Sequence, residues 1–464
     1  MTGSDGSLQV VVIETDGLGD RSYLVHDGEV GVVVDPQRDI DRVLSAIDDA
    51  GVSVGLVLET HLHNDYVTGG LELAARTGAQ YVVAAAEEVG FERRPVADGD
   101  VLALGRVRIR ALATPGHTPH HLSYAVGSGD VPELVLTGGS LLFGTVGRTD
   151  LIDAERTEEL SRSQYRSARR LADELHDDVV VLPTHGFGSF CSSAASSGAD
   201  TSSIGKERAE NLALTVDDED DFVQRLLSGL TAYPRYYAHM GAINRHGPAP
   251  LDLSPPEPAD AAELRRRIEA GEWVVDLRDR RAFAKGHVAG TVGVELGDPF
   301  ATYLGWVLPW GTPVTLLGDT SEQVAEAQRA MVRIGIDRPA GAATDPEALA
   351  GTLGTGRYEV SDFPGLADQL GEPSLVVLDV RRDDERASGA IESSVHVPLQ
   401  DLEARVGELP DGRLWVHCAS GFRASIAASL LDRAGRDVVL IDDAWERAPD
   451  AGLPVMTDGA QEAP

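Results

Sequence analysis

Two residue types are nearly missing from this chain of 464 residues: cysteine occurs only as Cys191 and Cys418, and lysine only as Lys206 and Lys285. Two cysteines so far apart cannot build the disulfide framework of a small secreted domain, so a reducing, cytoplasmic setting is expected. No run of about 18 apolar residues is present, which leaves no candidate membrane span. The opening residues 1–7 have no basic stretch leading into an apolar one, so no signal peptide is expected. Positive charge is also scarce: 40 Lys and Arg face 75 Asp and Glu, for a formal net charge of −35. Nucleic-acid backbones need a basic footprint, and this composition excludes that class of partner. The apolar share of 42% suffices for packed cores. The length allows about three domains of ordinary size.

The informative residues fall in short polar clusters that each follow an apolar run. The first, Glu59-Thr60-His61-Leu62-His63-Asn64-Asp65-Tyr66, follows the run 54–58. If the chain stays extended past that run, alternation puts His61, His63 and Asp65 on one side. Imidazoles and a carboxylate converging on one point are what a Zn or Fe(II) site requires. A polar loop that merely holds two histidines is the plainer reading. Pro115-Gly116-His117-Thr118 follows the run 107–113, and Thr137-Gly138-Gly139-Ser140-Leu141 closes the run 133–136. Leu182-Pro183-Thr184-His185-Gly186 comes after 178–181. Strand ends are where loops present catalytic groups. Helices are expected over residues 41–50, 67–77 and 157–175. The aromatic stretch 233–244 either covers a site mouth or packs as a closing segment.

The order of these clusters resembles the metallo-β-lactamase superfamily over residues 1–246. Within it, Gly147-Arg148-Thr149-Asp150 and His185-Gly186-Phe187-Gly188-Ser189-Phe190-Cys191 are similar to the persulfide dioxygenase branch. The resemblance implies an αββα sandwich with a metal at one sheet edge. It implies one Fe(II) that oxidises a small thiol persulfide, such as glutathione persulfide, to sulfite. His61 and His117 match the family's metal-ligating histidines, with His63, Asp65 and His185 in the same cluster. Arg148 is expected to hold a substrate carboxylate, and Cys191 either meets substrate sulfur or is simply a small half-buried side chain.

Two departures from the family matter. Tyr66 stands where the superfamily has the last histidine of His-x-His-x-Asp-His, which argues against a binuclear hydrolase. Gly139 stands where the dioxygenases carry a metal-binding aspartate, and glycine cannot ligate. The usual two-histidine, one-carboxylate set is therefore incomplete. His63, Asp65 or His185 would have to complete it, and a three-histidine set resembles zinc chemistry. A zinc-dependent, thioesterase-like hydrolase and a non-catalytic module are the competing readings. A Gly139→Asp replacement is expected to rebuild the iron triad or, if the site is already built around His63 or Asp65, to crowd the metal and lower activity.

The proline-rich stretch 247–258 marks a boundary. Beyond it Val274-Val275-Asp276-Leu277-Arg278 recurs as Val377-Leu378-Asp379-Val380-Arg381. The segment starting at Gly286 recurs at Gly389 with the same offset (276 to 379, 286 to 389). A constant offset points to a duplicated α/β module, at 259–340 and 357–455. The Gly/Ala/Thr-rich stretch 340–356 suits a linker between them. In the second copy a strand over 414–417 runs into Cys418-Ala419-Ser420-Gly421-Phe422-Arg423 and a helix over 424–434. A cysteine before a helix N-terminus is placed to favour thiolate, and the loop N–H groups can cradle an anion. This Cys-x4-Arg loop resembles the rhodanese family of sulfurtransferases. The resemblance implies that Cys418 carries sulfane sulfur from small donors and that Arg423 orients the anionic donor. The first copy has no cysteine and is expected to be a structural or docking module. The whole reads as an α/β and α+β enzyme of sulfur metabolism, expected to form a homo-oligomer.

Overall fold

The computed structural model describes residues 7–194 and 198–456. Two compact units meet in sequence between Leu251 and Asp252, inside the proline-rich stretch.

The first unit is built on two six-stranded sheets. One takes strands Gln9–Thr15, Asp20–His26, Val30–Val34, Ser53–Leu58, Gln80–Ala84 and Arg94–Val96 in chain order. The other takes Val101–Leu104, Val107–Ala113, Leu122–Gly127, Leu134–Gly138, Val180–Pro183 and Ser202–Ser203. Alternate residues of single strands serve opposite faces. Val25, Val34 and Ala111 enter the core between the sheets with Leu58, Ile109 and Tyr124. Their neighbours Leu24 and Val33 pack outward against Val43, Ile47 and Leu73 of helices Asp41–Ala50 and Gly70–Thr77. Leu112 and Val135 pack against Ala168 and Leu171 of helix Thr157–Glu174. Both faces are covered, so the strands read as continuous apolar runs. The helix expected from residue 67 starts at Gly70, because the Thr68 hydroxyl accepts the Gly70 N–H at 2.9 Å and bonds Glu59. That use of Thr68 keeps residues 67–69 outside the helix.

The second unit holds a four-stranded parallel sheet, ordered Val292–Gly293, Trp273–Asp276, Val314–Gly318 and Gly341–Thr344. It also holds a five-stranded parallel sheet, ordered Glu359–Ser361, Val438–Ile441, Arg413–His417, Leu375–Asp379 and Val395–His396. The duplication extends to hydrogen bonding. Arg278 grips Asp276 and donates to the Gly286 carbonyl at 3.0 Å. Arg381 repeats this with Asp379 and the Gly389 carbonyl at 2.7 Å. Removing Arg278 would strip the buried Asp276 of its guanidinium, at a cost of about 3–5 kcal/mol, whereas Asp379 would keep Arg386 at 3.3 Å.

Asp276 pairs with Leu317, and Asp379 with His417. The register therefore sets Gly318 in the place of Cys418. The stretch 340–356 is not a linker: it forms strand Gly341–Thr344, helix Pro346–Leu353 and strand Thr355–Gly356. Gly341 is closely packed, since a Cβ there would lie 3.1 Å from the Glu257 carbonyl. Asp345, at φ +61°, caps the helix by accepting the Ala348 N–H. Among the described residues no helix is long and apolar enough to cross a membrane.

Candidate metal centre and cysteine loop

The polar clusters of the first unit gather at one edge of the sandwich, but alternation does not arrange them. Strand Ser53–Leu58 stops at Leu58, and residues 59–66 are irregular. Hydrogen bonds position them instead. Asp35, at φ +52°, follows strand Val30–Val34. Its carboxylate accepts the Thr60 N–H and hydroxyl, each at 2.7 Å, and also the Thr184 hydroxyl. The Thr60 oxygen in turn accepts from His61 Nδ1 at 2.9 Å. His117 Nδ1 donates to the Arg148 carbonyl at 2.7 Å, and His185 Nδ1 to the Asp20 carboxylate at 2.8 Å. In all three rings Nδ1 is engaged and Nε2 is left to ligate.

The ligand nitrogens of His61, His117 and His185 lie within 4.8 Å of one another. Nε2 of His61 and Nε2 of His185 are 3.3 Å apart, and His117 Nε2 is buried without a partner. A buried acceptor left alone costs about 1–3 kcal/mol. A divalent cation held by three imidazoles removes that cost, so these residues fit a metal ion. His63 splits its ring: its Nε2 is 2.9 Å from the Tyr66 hydroxyl and 3.3 Å from both the Asp35 and Glu59 carboxylates, while its Nδ1 is buried without a partner. Asp65 lies 3.1 Å from His185 Nδ1 and accepts from Ser189 at 3.2 Å. His63, Asp65 and His185 also form a close group, as do Asp35, Glu59 and His63.

At position 139 there is no side chain and no room for one. A Cβ on Gly139 would fall 2.2 Å from Cδ2 of His117, and one on Gly147 would fall 2.8 Å from its Nδ1. The two glycines form the slot that the His117 ring occupies. This corrects the expectation that Gly139→Asp would simply restore a ligand.

Burial, His63 and the other surrounding rings hold His61 well below the usual histidine range. Burial and His185 push His117 down to about 3. Burial opposes charge on His185 as well, but Asp65 and Asp20 outweigh it and raise that ring to about 10. The metal-free protein therefore keeps a proton on His185 that a cation must displace. Because that proton is bound below the raised pKa, affinity for Zn(II) is expected to climb as pH rises. The slope is about tenfold per unit between about pH 6 and 9. Calorimetric titration at several pH values, with the proton release that buffer variation reveals, checks it. A flat profile would remove His185 from the ligand set.

Replacing His61 or His117 with Ala is expected to cut bound metal from about one ion per chain to less than about a tenth of that. His26→Ala should leave it intact, since that ring accepts from the Gly28 N–H at 3.2 Å and takes no part in the cluster. Metal analysis of the purified variants decides it, and equal content in all three would dismiss the site.

Arg148 is buried, and its guanidinium is committed. It bonds both Asp150 oxygens at 2.7 and 2.8 Å and the carbonyls of Phe190 and Thr231, and it lies over the Tyr233 ring. Together with its own carbonyl on His117, this makes it a clamp of the site wall. Cys191 is fully buried, and burial and Asp65 raise its thiol well above the ordinary range. Helix Tyr237–His246 contributes Asn244, whose amide donates to the His63 and Tyr66 carbonyls at 2.8 Å each. His121, Asp20, Asp35 and Glu59 went unnoticed in the sequence. His121 stacks on His61 at 5.0 Å and accepts the Gly139 N–H at 3.0 Å, so it holds the 139 loop. Its signal was the third histidine of the run Pro115–His121.

In the second unit, strand Arg413–His417 delivers Cys418 to the start of helix Phe422–Arg433. Gly421, at φ +88°, turns the loop and donates its N–H to Cys418 Sγ at 3.2 Å. Arg423 makes a bidentate pair with Glu385 at 2.5 and 2.6 Å. Burial opposes its charge, but that pair outweighs it and raises the guanidinium further. Tyr303, on helix Phe300–Val307, has its ring 5.5 Å from that of Phe422. His417 stacks on Trp445 at 5.4 Å, and burial holds it near 4, uncharged.

Residues 16–185 match the metallo-beta-lactamase superfamily, and residues 364–448 match the rhodanese-like domain. A hydroxyacylglutathione hydrolase of Acidiphilium cryptum is 30% identical over 166 residues, which is 35% of this chain and 63% of that protein. The chain thus spans under two thirds of that relative's length. The mitochondrial persulfide dioxygenase ETHE1 of Homo sapiens is 25% identical over 239 residues, 51% of this chain and 81% of its own. Among solved structures, a metallo-beta-lactamase from Staphylococcus aureus superposes with a TM-score of 0.65 at 26% identity, covering 73% of this chain and 100% of the other. The chain carries a metallo-beta-lactamase fold followed by a rhodanese-like domain.

Proposed function

We propose that this chain is an enzyme of sulfur metabolism that oxidises a small thiol persulfide, such as glutathione persulfide, to sulfite and moves sulfane sulfur through Cys418. The observation that carries this reading is the union, in one chain, of a three-imidazole centre with a cysteine loop whose backbone N–H already faces the sulfur. Similarity to the human persulfide dioxygenase supports the same chemistry. The oxidation balances as persulfide, O2 and water giving thiol, sulfite and two protons. Fe(II), when bound by His61, His117 and His185, supplies open coordination positions and redox capacity.

The chain's own residues do the rest. Thr60, the Arg148 carbonyl and Asp20 hold the three rings in register. Arg148 and Tyr233 fix the wall beside them. At the other site the Cys418 thiolate attacks the outer sulfur of the donor persulfide. A new S–S bond forms to Sγ, the donor's S–S bond breaks, and its electron pair leaves with the thiolate of the carrier. Gly421 N–H stabilises charge on Cys418 Sγ.

A second reading has an observation of its own. Three imidazoles suit zinc, and hydroxyacylglutathione hydrolases are among the relatives, which favours a zinc-dependent, thioesterase-like hydrolase. Anaerobic loading with Fe(II), then O2 uptake with glutathione persulfide, separates the two. Persulfide-dependent uptake with about one iron per chain is expected. Hydrolysis of a glutathione thioester by the zinc form, with no O2 uptake by the iron form, would favour the hydrolase.

A further inference from the structure

The half of the second unit that lacks a cysteine reaches the cysteine loop of the other half through one carboxylate. Asp442 follows strand Val438–Ile441, and its side chain is only 2% exposed. It lies directly against Gly421: a Cβ there would come 2.3 Å from Asp442 Oδ1. Asp442 thus packs on the residue whose N–H donates to Cys418 Sγ at 3.2 Å. Left alone, a buried negative charge so placed would disfavour a thiolate or a persulfide anion on Cys418.

It is not left alone. Helix Arg280–Lys285 belongs to the four-stranded half, and its first two residues both bind Asp442. Arg280 Nε donates to Oδ1 at 2.8 Å and Arg281 Nε to Oδ2 at 2.5 Å, while Arg280 Nη1 also reaches Glu295 at 2.6 Å. Each carboxylate oxygen thus has its own guanidinium. Asp442 is buried and Arg280 largely so, whereas the Arg281 side chain is 69% exposed and its share is screened by solvent.

We infer that Arg280 and Arg281 are positioning residues for sulfur transfer, acting through Asp442 to cancel a negative charge that would otherwise bear on the Cys418 loop. The half in which Gly318 replaces the cysteine then has a definite role: it keeps the working half electrostatically competent. The inference rests on Cys418 as the sulfur-carrying residue. The charged or titratable groups nearby include Arg423 with Glu385, Arg382, Tyr303, His417 with Asp379, Arg381 and Arg386, and Asp443 with Arg447; Lys285 and Asp362 share the pocket of Asp442.

The test measures sulfur transfer from glutathione persulfide to cyanide by the full chain across pH. Arg280→Ala with Arg281→Ala should lower kcat/KM about tenfold and move the acidic limb of the profile up by about one unit, as for one uncompensated neighbouring charge. Arg280→Lys with Arg281→Lys should restore the rate. The decisive arm is Asp442→Asn: alone it should stay near wild type, and added to the double alanine variant it should recover most of the lost activity. If Asp442→Asn is as damaging as the double variant, or fails to rescue it, the arginines merely join the two halves and the inference falls. Transfer that needs Cys418 yet ignores the double variant overturns the inference alone. Transfer that persists in Cys418→Ser overturns the underlying reading, and the inference with it.

Discussion

Cys418→Ser should reduce sulfane-sulfur transfer by at least about a thousandfold, the scale on which removal of a covalent nucleophile is felt. Serine keeps the size and the hydrogen bond from Gly421, but its hydroxyl stays protonated and forms no persulfide. No other residue can substitute. Gly318 occupies the equivalent register in the four-stranded half. Cys191 sits in the other unit, fully buried, with its thiol raised by burial and Asp65. Fold and metal content should be untouched, since the metal centre lies in the first unit. Transfer from thiosulfate or glutathione persulfide gives the rate. Mass spectrometry of the wild type after donor treatment should add one sulfur atom to the peptide that contains Cys418. Undiminished transfer in Cys418→Ser would move attention to Cys191.

Much of this arrangement is legible in the sequence, and the parts that are not share a cause. The four clusters of the first unit could be read because each ends an apolar strand, and strands of this sandwich end at a common edge. The Cys418 loop could be read because strand, loop and helix are contiguous. The repeat was visible in Asp276–Arg278 and Asp379–Arg381 because each pair closes on itself within three residues. What positions the rings is only partly local. His185 is held by Asp20 from far along the chain, and His61 by Thr60 and Asp35. His63 Nε2 is held by Glu59, Asp35 and Tyr66, while its Nδ1 has no partner and the ring stays in the group that it forms with Asp65 and His185. His121 was missed for the same reason, since its role is to accept one N–H from Gly139. The stretch 340–356 misled because its short, largely exposed strands and helix carry the Gly, Ala and Thr content of a flexible linker.

Gly139→Asp should abolish metal binding rather than strengthen it. On sequence alone, a carboxylate beside two histidines would complete the Fe(II) triad. The site is not built to receive it. With Gly147 on its far side, the His117 ring fills the space where the new Cβ and carboxylate would go, 2.2 Å from Cδ2 and 2.8 Å from Nε2. Overpacking of this kind typically costs about 1–3 kcal/mol. The ring cannot yield without breaking the bond from His117 Nδ1 to the Arg148 carbonyl, and that bond sets which nitrogen ligates. The 139 loop is no freer, because its N–H is held by His121 and its carbonyl by the Gly147 N–H at 2.9 Å. The expected result is loss of nearly all bound metal and of persulfide-dependent O2 uptake, with sulfur transfer at Cys418 unchanged. A parallel Gly139→Ala variant separates the steric from the chemical contribution. If crowding decides, alanine and aspartate both lose metal. If the carboxylate ligates after all, aspartate alone gains Fe(II) over Zn(II), and the three-imidazole set gives way to a triad of His61, His117 and the new side chain.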